Sequence, residues 1–214
     1  MAKRVVCVFD LDHTLIRVNS SYHFGCYLYR KGIISLSKAL SLAFFYFRHK
    51  FLGMATGRLH EEVFCRLFKG KKLSFFQNLV NDYLDIYLDD IVYVPGYRRL
   101  IEAQRFGYNT MIVSSSPGFI VEAIAYRFTV DSWRATQYSR DGSGLFNKVA
   151  HIVDGEDKAK YVKEVLEEKY DEIWGFSDSI LDKPFLESVT NPVAVNPDGK
   201  LWRYSKMKDW EVVE

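Results

Sequence analysis

The clearest pattern near the start of the chain is an unbroken apolar run, Val-Val-Cys-Val-Phe at residues 5–9, ending abruptly at Asp10. Such a run predicts a strand buried on both faces. The character changes after Arg17. Over 20–90 there is one Thr, no Pro and little Val. Leu36, Leu40, Ala43, Phe44 and Phe47 follow a 3.6-residue period, as do Leu59, Val63 and Leu67, and then Leu79, Tyr83, Ile86 and Tyr87. Four helices are predicted, over 21–30, 35–50, 56–69 and 74–88, each starting near a Ser or Thr that can serve as N-cap.

Beyond Pro95 the pattern alternates. Pro95 opens a helix running to Arg105, Gly107 caps it, and 110–113 is a short apolar strand. Ser116 and Pro117 read as N-cap and first helical residue. Residues 135–149, with Asp141-Gly142 and Gly144, predict a hairpin. A helix over 156–169, a strand over 172–176, a short helix and a strand over 192–195 follow. This order predicts an α/β fold: a parallel sheet covered by helices on both faces, with a helical module inserted early.

Composition narrows the picture. A chain of 214 residues with 48% hydrophobic content holds one domain carrying a small insertion. A net charge of +2 without a basic block argues against a nucleic-acid partner. Three cysteines, with Cys7 inside the buried strand, argue against a disulfide framework and for a reducing, cytoplasmic setting. Lys3 and Arg4 before the apolar run imitate a signal peptide, but the run is short and leads into Asp10 and Asp12. The apolar stretch 39–47 lies between Lys38 and Arg48 and falls far short of the roughly 20 residues that a membrane span requires. Phe44, Phe45, Tyr46, Phe47 and Phe51 are expected in the core of a helix bundle, with a lipid-facing or acyl-binding surface as the alternative.

Candidate chemistry begins where polar residues interrupt the strands. Residues i and i+2 of an extended chain project together, so Asp10 and Asp12 share one spot. At roughly 4 Å and an effective dielectric of about 20 their repulsion is about 4 kcal/mol, which calls for a proton, a cation or both. A calcium loop would need Gly and Glu where Leu15 and Ser21 stand. Ser114 and Asp178 occupy two further strand ends, the edge at which open parallel sheets bind ligands. Carboxylates, a hydroxyl, free amides and a nearby Lys suit a divalent metal and a phosphoryl group, and Mg²⁺ prefers such oxygen ligands. Lys158, Lys160 and Lys163 are the lysines that could supply the cation. Taken singly, Asp178 could cap the next helix, Asp182 could sit in its first turn, and Thr14 could bond the loop backbone. The five histidines, His13, His23, His49, His60 and His151, lack metal-ligand spacing.

The ordered set Asp10-Leu-Asp12-His-Thr14, Ser114 after Met111-Ile-Val, Lys158, and Asp178-Ser-Ile-Leu-Asp182 resembles the four motifs of the haloacid dehalogenase-like hydrolase superfamily. The early helices resemble the cap of its phosphoserine-phosphatase-like branch. The resemblance implies a Rossmann-like catalytic core at 1–17 and 91–214 and a cap domain at 18–90. It implies a Mg²⁺-dependent phosphatase acting on a small phosphomonoester. Asp10 would be the nucleophile forming an aspartyl phosphate, and Asp12 the acid and base. Mg²⁺ would be held by Asp10, the Asp12 carbonyl and Asp178. Ser114, the Ser115 amide and Lys158 would hold the phosphate, with Thr14 and Asp182 in support. Leu181 stands where much of that branch has Asn, and Asn19 about where phosphoserine phosphatases carry an acid for the substrate's amino group. Substrate contacts from the cap are expected at Asn19, Tyr22, His23 and Phe24, with Arg58 nearby. The preference would be for a neutral or apolar leaving group, with a lysophospholipid among the substrates considered. The same residues would serve a phosphotransferase or mutase. A receiver-like phospho-acceptor module has no use for Asp12 or for a cap.

Overall fold

The computed structural model describes residues 3–214, apart from the side chains of His49, Lys50 and Phe51, so the expectations for His49 and Phe51 lie outside the described residues. The apolar run at the start forms β1 (Val5–Phe9), buried at every position. It pairs in parallel with β2 (Asn109–Pro117) on one side and β5 (Glu172–Ser177) on the other. With β3 (Ser132–Arg140), β4 (Phe146–His151), β6 (Asn191–Val195) and β7 (Glu211–Val213), the described residues form a sheet in the order β4-β3-β2-β1-β5-β6-β7. The β3–β4 hairpin supplies the antiparallel pairing, and the other neighbours are parallel.

Alternation along the strands sends side chains to two apolar layers. Cys7, Phe9, Ile112, Phe176 and Val195 join one with α5 (Val94–Arg105) and α6 (Gly118–Arg127). Val6, Val8, Met111, Ile173 and Ala194 join the other with a π-helical turn (Val162–Leu166) that continues α7 (Gly155–Tyr161), α8 (Lys183–Ser188) and α9 (Gly199–Met207). This is the covered parallel sheet that the alternating pattern predicts.

Between β1 and α5 lie α1 (Ser20–Arg30), α2 (Leu36–Leu52), α3 (Thr56–Val63) and α4 (Leu73–Ile91), with α3 extended by a π-helical turn at Phe64–Phe68. All four predicted helices are present, but their starts are less uniform than the Ser/Thr rule suggests. The side chains of Asn19 and Ser35 cap α1 and α2, whereas α3 and α4 begin at Ala55 and Lys72 without a side-chain cap. Phe68, Phe76, Phe119, Tyr138 and Phe146 interlock edge to face and tilted, seating this helical layer on α6 and the hairpin.

The expected bundle core on α2 is corrected. Leu36, Leu40, Phe44 and Phe47 are 55, 62, 55 and 51% exposed, and Phe45 is buried beneath the Arg66 guanidinium. The helix lies against α1 and α3 along another stripe, which leaves this face to solvent. Among the described residues no helix is long and apolar enough to cross a membrane.

Two glycines permit close approach of the loops below the sheet's carboxyl edge. A Cβ on Gly96 would run into the Thr14 carbonyl, and one on Gly155 into the Leu181 carbonyl. Both obstacles are backbone, so neither can swing away. Gly155→Ala should therefore destabilise the fold by about 1–3 kcal/mol, the usual penalty for overpacking, seen as a lower urea midpoint at unchanged m-value. An unchanged midpoint would mean that the α7 start is not pressed against this loop.

Candidate active site

The site starts where β1 stops. The Asp10 amide still donates to the Phe176 carbonyl (2.8 Å), so Asp10 is held as an extension of the sheet. The chain then turns sharply, as the amides of Thr14, Leu15 and Ile16 all converge on the Leu11 carbonyl. His13 sits in the turn at φ 60°, a conformation that non-glycine residues seldom adopt. Leu11, Leu15 and Ile16 bury their side chains, so the polar Asp10 and Asp12 are presented from a rigid apolar base.

Lys158, on the first turns of α7, reaches Asp10 Oδ1 at 2.7 Å and Asp182 Oδ2 at 2.6 Å. All three side chains are buried. Burial alone would lower the Lys158 ammonium, but Asp10 and Asp182 outweigh it and hold the group above its ordinary value. Ser177 at the end of β5 adds a hydroxyl bond to Asp182 Oδ2 (2.7 Å). Burial, less the pull of Lys158, raises Asp10 to about 7, and burial with repulsion from Asp10 and Asp182 raises Asp178 to about 9.

Asp12 is held by a different set of groups. Its Oδ1 accepts the Ser20 amide (2.9 Å), and its Oδ2 accepts Asn19 Nδ2 (2.9 Å) and the Ser116 hydroxyl (3.0 Å). The Ser20 amide belongs to the N-terminus of α1, where an acid is favoured by the helix dipole. Burial still raises the Asp12 carboxyl, with the Ser20 and Ser116 bonds opposing it.

Several predicted residues are brought together and several are not. Asp10, Asp12, Thr14, Lys158, Asp178 and Asp182 form one group at the carboxyl ends of β1 and β5. Thr14 directs its hydroxyl to Asp178 Oδ1 (3.5 Å) and so serves the carboxylate rather than the loop backbone. Asp178 is not a helix cap, since Ser179 and Asp198 take the amides of Leu181 and Ile180. Ser114 is buried at the end of β2, where its Oγ accepts the Ser116 amide (3.1 Å), and Ser115 is half-buried beside it. Ser116 is not the N-cap predicted for the next helix. β2 continues through Pro117, and the Ser116 hydroxyl turns to Asp12. Leu181, at the Asn position of the branch, is 65% exposed.

The cap contacts divide. Asn19 faces Asp12 while also capping α1 through Tyr22 N. Tyr22 stacks on Tyr46 at 4.8 Å and lines a cavity of about 300 Å³ beside the site. Phe24 is fully buried yet reaches the same wall. His23 is removed from the list of contacts: its Nδ1 pairs with the Tyr83 hydroxyl (2.9 Å), and burial lowers its imidazolium. Arg58 lies exposed on α3, while Thr56, Leu59, His60 and Val63 are the α3 residues that line the cavity. Neither departure is visible in spacing along the chain, because each depends on how α1 and α3 are rotated.

Fold and site together define an α/β enzyme whose polar groups gather at the carboxyl edge of a parallel sheet. The model of the haloacid dehalogenase-like hydrolase family matches residues 7–187, and the chain belongs to that family. The chain is 29% identical over 221 residues to the inhibition of morphological differentiation protein of Streptomyces azureus, covering 99% of this chain and 78% of that one. It is 27% identical over 221 residues to a histidinol-phosphatase of Neisseria meningitidis, covering 97% of each. A protein of unknown function from Bordetella pertussis shares the fold at a TM-score of 0.88 and 22% identity, covering 100% of this chain and 99% of that one. A substrate-bound phosphoserine phosphatase shares it at 0.66 and 13%, covering 95% and 91%.

The raised carboxyls carry a consequence for stability. The folded, metal-free protein keeps protons on Asp10 and Asp178 that an unfolded chain has released above 3.8, so these groups stabilise least at high pH. Stability in chelator should fall as pH rises from about 4 through about 7 to about 9. Asp178→Asn should remove its share, up to about 1.4 kcal/mol per pH unit of slope, measured by urea denaturation across that range. Identical slopes in both proteins would contradict this charge balance.

Proposed function

We propose that the protein is a Mg²⁺-dependent phosphatase that hydrolyses a small phosphomonoester through an aspartyl phosphate on Asp10. The observation that carries this reading is the unequal holding of two neighbouring acids. Asp10 is bound to a lysine, and Asp12 is bound to an amide, a carboxamide and a hydroxyl. Environments that push paired acids apart assign them different tasks. The names of the Neisseria histidinol-phosphatase and the phosphoserine phosphatases support the same reaction class.

The donor set fits a divalent cation. Asp10, Asp178 and Asp182 bring three carboxyls into one largely buried group against the single charge of Lys158. Without metal, Asp10 and Asp178 are pushed towards their protonated forms, and a divalent cation would take the place of those protons. Among the described residues no three His, Cys, Asp or Glu side chains surround one point, so the ligands would be the Asp10 and Asp178 carboxylates with the Asp12 carbonyl, completed by water and phosphate. When bound, Mg²⁺ would neutralise charge on the phosphoryl oxygens.

The residues of the chain then perform two displacements. A carboxylate oxygen of Asp10 attacks phosphorus, the phosphorus–alkoxide bond breaks, and Asp12 delivers a proton to the departing oxygen. Water next attacks the phosphorus of the aspartyl phosphate, giving its proton to Asp12 and releasing the Asp10 carboxylate with inorganic phosphate. Ser114 accepts the Ser116 amide and so directs its own hydrogen outward to a phosphoryl oxygen, together with the Ser115 amide. Lys158 favours the ionised form of Asp10 against its burial and orients it, with Asp182 and Thr14 as supports. Segment 18–90 acts as the cap over a core made of 1–17 and 91–214. Cys7, Cys26 and Cys65 are free thiols, consistent with a cytoplasmic setting.

With Mg²⁺ and an aryl phosphate, Asp10→Asn should be inactive, and a chelator should abolish wild-type turnover. Activity in either case would overturn the mechanism. Asp12→Asn should turn over at least about 100-fold more slowly yet keep the thermal stabilisation by Mg²⁺, because its metal contact is through the backbone. Equal loss of Mg²⁺ binding and rate would refute that division of labour.

A further inference from the structure

We infer that the cavity beside Asp12 is a chain-binding subsite, so that the substrate is a phosphomonoester whose leaving group is a long, uncharged apolar chain. The inference rests on the phosphatase reading and adds what the reading leaves open, the chemistry of the leaving group.

The position of the cavity comes first. Asn19 and Ser116 both touch Asp12 Oδ2 and both line the cavity, so the space begins at the acid that protonates the departing oxygen. Whatever is attached to that oxygen must extend into it. The volume is about 300 Å³, and its walls come from α1, α2, α3, the π-helical turn after α3 and the start of α6.

The lining has one chemical character. Among the described residues around it there is no Asp, Glu, Lys or Arg, and Leu, Ala, Phe, Val and Ile side chains make up much of the wall. The polar groups nearest Asp12, and the His60–Tyr138 pair, are already engaged, and the other polar side chains of the wall are uncharged hydroxyls and a thiol. Asn19 and Ser116 hold Asp12, and the His60 ring is 2.9 Å from the Tyr138 hydroxyl. An ammonium or carboxylate on the leaving group would be desolvated without a charged partner, which strongly disfavours binding. Phosphoserine and histidinol phosphate both carry such groups.

Two further features agree with a chain. Gly25 lies inside α1 and lines the cavity, and a Cβ there would meet nothing within 4 Å. Packing does not require glycine at this point, and helices disfavour it, so the residue's effect is to leave the space open. Leu36 and Leu40 line the cavity and are also largely exposed, so its mouth opens at the apolar face of α2. An apolar chain could therefore enter without crossing a charged rim.

The test compares kcat/KM, with Mg²⁺ present, for ethyl, butyl and octyl phosphate, lysophosphatidate, phosphoserine and histidinol phosphate, beside an aryl phosphate. Octyl phosphate or lysophosphatidate should exceed butyl phosphate by at least about tenfold, and the one preferred identifies the source of the chain. Gly25→Leu, whose Cβ meets nothing within 4 Å and whose side chain would occupy the cavity, should cut that ratio by at least about tenfold while its circular dichroism and melting temperature show an intact fold. An enzyme that hydrolyses the aryl phosphate but ignores chain length, or that prefers phosphoserine or histidinol phosphate, overturns the chain subsite alone. Failure to hydrolyse any of these esters overturns the phosphatase reading beneath it.

Discussion

The Lys158 ammonium, buried between Asp10 and Asp182, is the contact on which the rest of the site depends. A buried lysine without partners would lose its proton, and buried carboxylates without a cation would take one up. Here each corrects the other, and the correction also joins three parts of the chain: the end of β1, the first turns of α7 and the turn after β5. The surrounding backbone is arranged to permit it. Gly155 lets α7 start directly against the Leu181 carbonyl, and Ser177 uses its hydroxyl to fix the far carboxylate. The two lower-energy alternatives, an apolar plug or a solvent-exposed pair, would each remove the charge that makes the site reactive.

Asp12, two residues away, lies outside this ion pair. Its ligands come from the N-terminus of α1 and from the end of β2. The helical insertion is thus linked to the reacting centre by hydrogen bonds as well as by packing. Any rigid-body movement of α1 would change the donors around Asp12 while leaving Lys158 and Asp10 in place. Ser20 and Ser21 hydroxyls lie 2.8 and 3.1 Å from the Ser116 hydroxyl, which extends the network from core to insertion.

Lys158 and Asp182 were reached through the resemblance of the ordered motifs to the family, whereas the parallel sheet, the four inserted helices and the strand-end acids Asp10, Asp12 and Asp178 were legible because each has a local signal. Those signals were a buried run, a helical period, or a polar residue at a strand end. What was not legible depends on rotation and packing. The α2 period is genuine, yet it places Leu40 and Phe44 outward, because periodicity defines a stripe without saying what covers it. His23 resembled a substrate contact until α1 turned it to Tyr83. Ser116 looked like a helix cap because Pro117 follows it, whereas β2 runs on from Val113, where its apolar signal ends, to Pro117. α9 and β7, at 199–213, carry too weak a pattern to be foreseen.

The position of β1 has a consequence for how the molecule comes into being. It precedes the other strands of its sheet in the chain and lies in the middle of that sheet, bordered by β2 and β5, whose pairings begin at Asn109 and Glu172. Until both neighbours have been made, β1 exposes two open edges and an apolar surface, a state prone to mispairing. Asp10 must wait longer still, because its lysine lies 148 residues downstream. Loop closures of this length are slow to form. The nascent chain therefore carries its reactive acid unpaired until α7 has been made, and the catalytic centre assembles later than β1 and the inserted helices.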